Sequence, residues 1–494
     1  MKHVSHRSAG GRKQVRDAII VPGINAWQSA QSEKLAFLVD AADYYRRLED
    51  VFRRARKTIW IIGWDFNADI YLRPDRPSQT LGELLRAAVD ENEKLEVRIL
   101  VWSMGPIYSG KSLSLFTENT WSNHPRIHLR FDTKHPLRGS HHQKVVVVDD
   151  CLAFIGGIDL TARRWDTPEH LADNPLRVAP DGNPYEPVHD LQAAFSGAAA
   201  SMIGDLARRR WRRATGETIP KQEGTETLWW DDLSADMSGC HIGLALTEPG
   251  YAGRRERREA MRLTLDALSA ARRHIYIESQ YFAFFGLAHI IEQHLQSPDG
   301  PEIVTIVTRA SHGLVEKIMM GYNRDRLIRR LKRADRYNRL RVMYPVVPDG
   351  EDGEQDVLIH SKLLIIDDRF LRLGSSNLNN RSEGLDTEAD IAVEAKAEDC
   401  SRAIVSLRDR LIAEHLDARP EAVALRVAAA GSMIEAIDAL NIHPRGLRDM
   451  DVGSGETAPI WGTGLVDPRK PLWPLQKVRT GFETITSRFL GIFL

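Results

Sequence analysis

The sequence predicts an α/β protein built from two similar α-β-α layered domains, each a mixed sheet flanked by helices, packed as a pseudo-dimer with the active site between them. Three observations predict it. The 494 residues, 43% hydrophobic and 27% charged, are enough for two to four domains with cores of their own. Helical patterns alternate with β-rich runs along most of the chain. One motif, HxKxxxxD followed by a glycine, occurs twice, starting at His142 and at His360.

The elements follow in chain order. Ala41–Arg56 has helical periodicity and leads into the β-rich run Thr58–Ile62. Leu81–Glu91 reads as a helix and Glu96–Trp102 as the next strand. Ser140–Leu160 carries the first motif, and Ala193–Arg213 reads as a helix. The order then repeats. A helix over Arg257–Arg273 leads into the run His274–Ile277, followed by Glu302–Thr308, and Ile359–Leu378 carries the second motif. The helix-like Leu314–Arg341 accounts for extra length in the second half, and Glu398–Leu416 closes it. Both motifs place their glycine, Gly156 or Gly374, 14 residues after the histidine. The first domain is drawn over 18–213, the second over 239–420, with a polar linker at 214–238 and a C-terminal extension over 421–494.

Composition narrows the function. Sixty-seven basic against 68 acidic residues leave a net charge of -1, so affinity for phosphate or a membrane must come from local patches. Cys151, Cys240 and Cys400 are few and far apart, which argues against a disulfide framework and a zinc site. The basic amino terminus lacks an apolar stretch behind it, and no run reaches the ~18 residues of a spanning helix. The expected location is cytoplasmic or peripheral at a membrane, with export by a route lacking a cleavable signal left open.

The motif itself is chemical. In extended chain His142 and Lys144 project to one face, as do His360 and Lys362. An imidazole beside an ammonium, held by the apolar runs Val145–Val148 or Leu363–Ile366, is an anion site with a nucleophile or proton donor in it. Two such sites meeting across a pseudo-dyad would surround one phosphate. The lysines then supply the charge stabilisation, so no metal and no cofactor is expected. Asp149 and Asp367 complete the motif among the candidate catalytic residues, but each sits where a strand ends, with a second aspartate following, and reads first as a brace of the turn.

These residues resemble the phospholipase D superfamily with two HKD motifs. HHQKVVVVD with GGIDLTARRWDT, IYIESQYF, and HSKLLIIDDRFLRLGSSNLNNRSEGLDTE carry the resemblance, which runs from about Trp60 to Glu394 and is closest to compact bacterial-style phospholipases D with eukaryotic-type motif flanks. It implies a phosphodiester exchange through a phosphohistidine, releasing phosphatidate and the headgroup alcohol, with transphosphatidylation when an alcohol replaces water. His142 is assigned as nucleophile and His360 as acid and base, an order the sequence alone does not set. Lys144 and Lys362 would bind phosphate oxygens, helped by Ser375 and Asn377. Asp159 stands in the first half where the family often has asparagine, which breaks the symmetry of the phosphate-binding set. The family places an acidic residue behind each histidine: Asp190 for His360 and Glu388 for His142, with Asp390 as the fallback for Glu388. His141 and His189 beside these positions read as structural. The implied partner is a phospholipid at a membrane surface, and the protein is expected to be a monomer with an internal pseudo-dimer.

The rival functions are a phosphatidyltransferase of the cardiolipin synthase type, a nuclease, and a scaffold without activity. The basic clusters Arg208–Arg213 and Arg324–Arg341 read first as structural, second as membrane contacts and last as nucleic-acid contacts. The chain ends with an apolar stripe, Phe482, Ile485, Phe489 and Phe493, at helical spacing, which packs on the protein's own core or meets a bilayer.

Overall fold

A computed structural model describes residues 18–110, 112–116, 120–222, 228–309, 321–460 and 467–471. The C-terminal stripe and residues 314–320 of the helix-like stretch lie outside these.

Among the described residues, seven equivalent strands recur in the two domains. In the first they are β1 (Lys34–Val39), β2 (Thr58–Gly63), β3 (Glu96–Trp102), β4 (Ile127–Asp132), β5 (Val145–Val148), β6 (Leu152–Gly156) and β7 (Leu191–Ser196). In the second they are β8 (His241–Glu248), β9 (His274–Ser279), β10 (Glu302–Val307), β11 (Leu340–Asp349), β12 (Lys362–Ile366), β13 (Phe370–Gly374) and β14 (Glu388–Glu394). Their spatial orders are β1-β7-β6-β5-β2-β3-β4 and β8-β14-β13-β12-β9-β10-β11. These are one topology written twice. In both, β2-β3-β4 and its counterpart β9-β10-β11 are parallel and the other neighbours antiparallel. The sheets are mixed, as expected.

Side-chain alternation decides how the layers stack. Ile59, Ile61, Val146 and Val148 face an outer core under helices α1 (Asp40–Arg54) and α2 (Leu81–Glu91). Trp60, Ile62, Val145 and Val147 face inward, to a core shared with Leu363 and Ile365 of β12. Leu364 and Ile366 face the outer core of the second domain. Helices α3 (Ala198–Thr215) and α7 (Glu398–His415) contribute to the shared core, whereas α4 (Glu259–Ala270), α5 (Ala288–Gln296) and α6 (Tyr322–Ala334) cover the outer face. Each sheet is thus apolar on both sides, which explains why its strands read as unbroken apolar runs.

Local signals place the ends. Thr80 and Glu83 form a capping box at the start of α2. The helix expected from Ala193 begins only at Ala198, because Leu191–Ser196 is a buried strand and Gly197, at φ 80°, turns the chain between them.

The expected domain limits need correction. Gln28–Gln31 pairs with His241–Leu244 of the second sheet, and Met237–Ser238 of the expected linker pairs with Lys34–Leu35 of the first. A segment of the first domain thus covers an edge of the second sheet, and the linker covers an edge of the first, where unpaired backbone groups would otherwise lie open. The expected extension is no separate piece either: α8 (Pro420–Ala430) and α9 (Met433–Leu440) follow α7, and Gly446–Asp449 pairs with β11.

Much of the basic clusters is paired within the protein, while Arg212, Lys332, Arg333 and Arg336 stay exposed. Arg208 pairs with Asp150, Arg210 with Asp132, and Arg209 and Arg213 with Glu248. Arg330 pairs with Glu292, while Arg329 and Lys332 donate to backbone carbonyls of Val452 and Met450. No helix among the described residues is long and apolar enough to cross a membrane.

Candidate active site at the domain interface

Each histidine lies just ahead of the central strand of its own domain, and the other domain holds it. His142 N donates to Thr387 O at 2.9 Å, and His360 N donates to His189 O at 2.8 Å. Short parallel pairings flank these bonds: His141 with Thr387, and Leu358–Ile359 with Val188–His189. The residues following Thr387 and His189 are Glu388 and Asp190. The same backbone ladder therefore delivers one carboxylate to each histidine across the interface.

Around His142, Nδ1 has Glu388 Oε2 at 3.0 Å and Ser375 O at 3.1 Å. Two acceptors at one nitrogen place the proton there and leave the Nε2 lone pair free. Ser375 and Ser382 donate to the two oxygens of Glu388 at 2.6 and 2.7 Å. Burial, with the charges of Lys144 and Lys362, holds His142 well below its usual range and so keeps the imidazole neutral. Burial pushes Glu388 upward, with Asp386 adding to it and the two serine hydroxyls opposing.

His360 Nδ1 lies 2.6 Å from Asp190 Oδ2. Its titration is also held well below the usual range, by burial first and then by Lys362 and Arg164. Lys144 and His142 add to that effect, so both motifs share one electrostatic centre. Lys144 Nζ donates to His142 O at 3.1 Å, and Lys362 Nζ donates to His360 O. Burial, reinforced by Lys144 and Arg164 and opposed by Asp190, pulls Lys362 down to about 7.

The two halves differ after the glycine. Asp159 Oδ2 pairs with Lys144 Nζ at 2.9 Å, and its Oδ1 accepts from Trp64 N. Asn377, at the equivalent position, keeps a buried Oδ1 without a hydrogen-bond partner. Ser375 braces Glu388, whereas its counterpart Gly157 faces Asp190: a Cβ there would lie 2.0 Å from Asp190 Oδ1. The motif glycines are close approaches too. A Cβ on Gly156 would meet Leu191 O, and one on Gly374 would meet Asp390 Oδ1, each at 2.2 Å.

The motif aspartates sit at the far ends of β5 and β12. Five residues of extended chain put each about 16 Å beyond its lysine. Asp149 accepts from the backbone N–H groups of Arg56, Lys57 and Thr58 at 2.7–2.8 Å. Asp367 accepts from Arg272, Arg273 and His274 in the same way. Both have left-handed backbones, φ 53° and 46°, as a turn aspartate tolerates. They anchor the start of β2 and β9 and do not reach the histidines. Asp390 pairs with buried Arg372 instead of a histidine. His141 lies against Thr387 Oγ1 at 2.9 Å, and His189 belongs to a separate polar cluster.

Sequence reasoning missed Ser382, Gly157 and Arg164. Arg164 stands in the quoted stretch GGIDLTARRWDT, yet nothing in that pattern distinguishes it from Arg163. Only the fold brings its charge to bear on His360, Lys362 and Asp190.

Residues 51–228 match a family model described as phospholipase D, and residues 264–408 match one described as cardiolipin synthase, PLD-like domain. The chain is 24% identical over 461 residues to phospholipase D A of Dictyostelium discoideum, covering 78% of this chain and 35% of that protein. It is 23% identical over 489 residues to phospholipase D alpha 1 of Ricinus communis, covering 71% of this chain and 60% of that one. It thus spans less than two thirds of either relative. The fold resembles the crystal structure of phosphatidylserine synthase from Haemophilus influenzae Rd KW20, with TM-score 0.53, 15% identity, and coverage of 84% of this chain and 97% of that one. With one such model matching each half, and each half contributing an HxKxxxxD motif to a single interdomain centre, the chain belongs to the phospholipase D superfamily.

Proposed function

We propose that this protein is a phospholipase D: it hydrolyses the distal phosphodiester bond of glycerophospholipids to phosphatidate and the headgroup alcohol, and transfers the phosphatidyl group to alcohols. One observation carries the reading. Two neutral imidazoles, each oriented by a carboxylate from the opposite domain, share a buried centre with two lysines.

Chemistry follows from the tautomers. His142 Nε2 attacks phosphorus, a P–N bond forms and the P–O bond to the headgroup breaks. With the negative phosphate diester bound beside it, His360 takes up a second proton from solvent and, as an imidazolium held at Nδ1 by Asp190, passes its Nε2 proton to the departing oxygen. The neutral His360 then takes a proton from water or an alcohol, whose oxygen attacks phosphorus as the P–N bond breaks. Lys144 and Lys362 offset charge on the non-bridging oxygens. Ser375 and Asp159 act here as positioning residues, for Glu388 and Lys144, and Asn377 remains the candidate phosphate contact. An acidic Asp159 would repel a phosphate, and its pairing with Lys144 supports the reassignment.

A lipid substrate is supported by the surface near His141. Tyr108 is 71% exposed and Leu137 57%. Tyr108 stacks on Trp102, whose ring contacts His135, and His135 contacts His141. An exposed tyrosine linked through Trp102 and His135 to the edge of the site suits contact with a membrane interface, where an aromatic ring with a polar tip is favoured.

The second reading is a phosphatidyltransferase of the cardiolipin synthase type, favoured by the model matched over 264–408. Incubation with phosphatidylcholine, phosphatidylglycerol and plasmid DNA, with and without a primary alcohol, separates these. Phosphatidate and a phosphatidyl alcohol from phosphatidylcholine are expected. Cardiolipin as the sole lipid product, or DNA cleavage alone, would overturn the proposal.

A further inference from the structure

We propose that Asp40, His170, His189 and Glu414 bind one divalent transition-metal ion, zinc by the character of the ligand set, in a closed site that clamps the two domains together. The sequence showed no such cluster. Asp40 starts α1, His170 lies in the loop after β6, His189 precedes Asp190, and Glu414 comes from the last turn of α7 in the second domain.

The candidate ligand atoms form a compact polyhedron. His189 Nδ1 lies 3.1 Å from Asp40 Oδ1 and 2.9 Å from Glu414 Oε1. His170 Nε2 lies 3.4 Å from Asp40 Oδ2 and 3.2 Å from Glu414 Oε1. All four residues present one atom within 4.8 Å of every other. For a tetrahedral zinc with bonds of about 2.05 Å, the edges between ligand atoms measure about 3.3 Å. The four separations above, from 2.9 to 3.4 Å, are of that size, with His189 nearest Asp40 Oδ1 and His170 nearest Asp40 Oδ2.

Two of these atoms have nothing else to do. Asp40 and His189 are fully buried, yet Asp40 Oδ2 and His189 Nδ1 make no hydrogen bond. Proximity without alignment is costly for groups paired only with each other, whereas it is what a shared cation requires.

The remaining nitrogens are held as metal-bound histidines are held. His170 Nδ1 lies 2.9 Å from Asp166 Oδ2, and Asp166 in turn accepts from Arg177. His189 Nε2 lies 3.1 Å from Glu278 Oε2, which accepts from Ser361 at 2.8 Å. A carboxylate behind each imidazole sets the tautomer that turns the other nitrogen toward the metal. Two carboxylates, two neutral imidazoles and a divalent cation sum to zero charge, the state a buried site favours. Four protein ligands leave no open position, so the site is structural and separate from the phosphate-transfer step.

The test uses the full-length protein, passed over chelating resin and analysed by elemental mass spectrometry. We expect one zinc per chain, a fall in Tm on exhaustive dialysis against dipicolinate, and recovery on adding zinc chloride. Cobalt chloride added to the stripped protein should give the intense visible bands of tetrahedral cobalt. His170→Gln and Glu414→Gln should each lose the metal and the Tm response. No bound metal together with no Tm response to zinc or cobalt would overturn the proposal. So would a full equivalent of metal retained in both variants, which would place it elsewhere. If either variant does not fold, the wild-type cobalt spectrum decides, because a faint octahedral spectrum is incompatible with this ligand set.

Discussion

Asp190 Oδ2 stands 2.6 Å from His360 Nδ1, although the two belong to different domains. The bond His360 N to His189 O, one residue earlier, fixes that reach, and His142 N to Thr387 O does the same for Glu388. Each histidine takes its orienting carboxylate from the other domain. A separated domain would keep its HxK and lose the carboxylate that sets its tautomer, so the centre exists only when both domains are assembled.

His142→Ala and His360→Ala should each abolish turnover. A phosphoenzyme formed from phosphatidylcholine should accumulate in His360→Asn, acid-labile and base-stable, and be missing in His142→Asn. Trapping in the opposite variant would exchange the two roles. A histidine variant that keeps more than a few per cent of the activity would sink the assignment.

Glu388→Gln should lower kcat with little change in lipid binding, because it alters tautomer and orientation at Nδ1 and leaves the phosphate contacts in place. Vesicle binding and kcat, measured side by side, check this. An equal loss in both would show a structural collapse instead.

Gly157→Ala tests positioning without touching either motif. Its Cβ would occupy space 2.0 Å from Asp190 Oδ1, so the carboxylate must move off His360. A displacement of about 1 Å costs about 10²-fold in rate. We expect a loss of that order in kcat on a soluble diester with an unchanged far-ultraviolet spectrum. Full activity would show that Asp190 has slack.

The pH profile should report Lys362. With its pKa at about 7, Nζ loses its charge as pH rises through that value, and kcat/KM should fall on the alkaline side. Lys362→Arg, whatever its absolute rate, should carry this limb to higher pH, and an unmoved limb would refute the assignment. The acid limb should lie well below pH 6.5, because His142 is held neutral. Stability runs the other way. Between about 7 and 10.5 the unfolded chain binds a proton at Lys362 that the folded chain does not, so this group raises stability with pH.

Asp149→Ala should destabilise rather than inactivate. Removing a fully buried carboxylate that accepts from three backbone N–H groups costs on the order of 3 kcal/mol. Tm should drop while the folded fraction keeps its kcat. A large kcat loss at unchanged Tm would restore Asp149 to the reacting set.

The sequence by itself determined the duplication, the mixed α/β layers and the places of the two histidines and two lysines in the repeated motif. Unbroken apolar β-rich runs and a motif repeated at fixed spacing are local properties, and they survive in a linear reading. Thr58–Ile62 and Val145–Val148 read as buried strands for this reason, and so they are. Even the acidic partners Asp190 and Glu388 were legible, through a family pattern. Only the tertiary structure decided that Gln28–Gln31 crosses to the second sheet, that Asp159 holds Lys144, that Gly157 makes room for Asp190, and that Arg164 adds its charge to the centre. Asp40 and Glu414 stand at opposite ends of the described chain and meet beside His170 and His189. No periodicity or spacing encodes such contacts. They arise where two independently patterned domains close on each other, and burial there turns nearby charges into partners whose energies depend on distances that sequence separation does not carry.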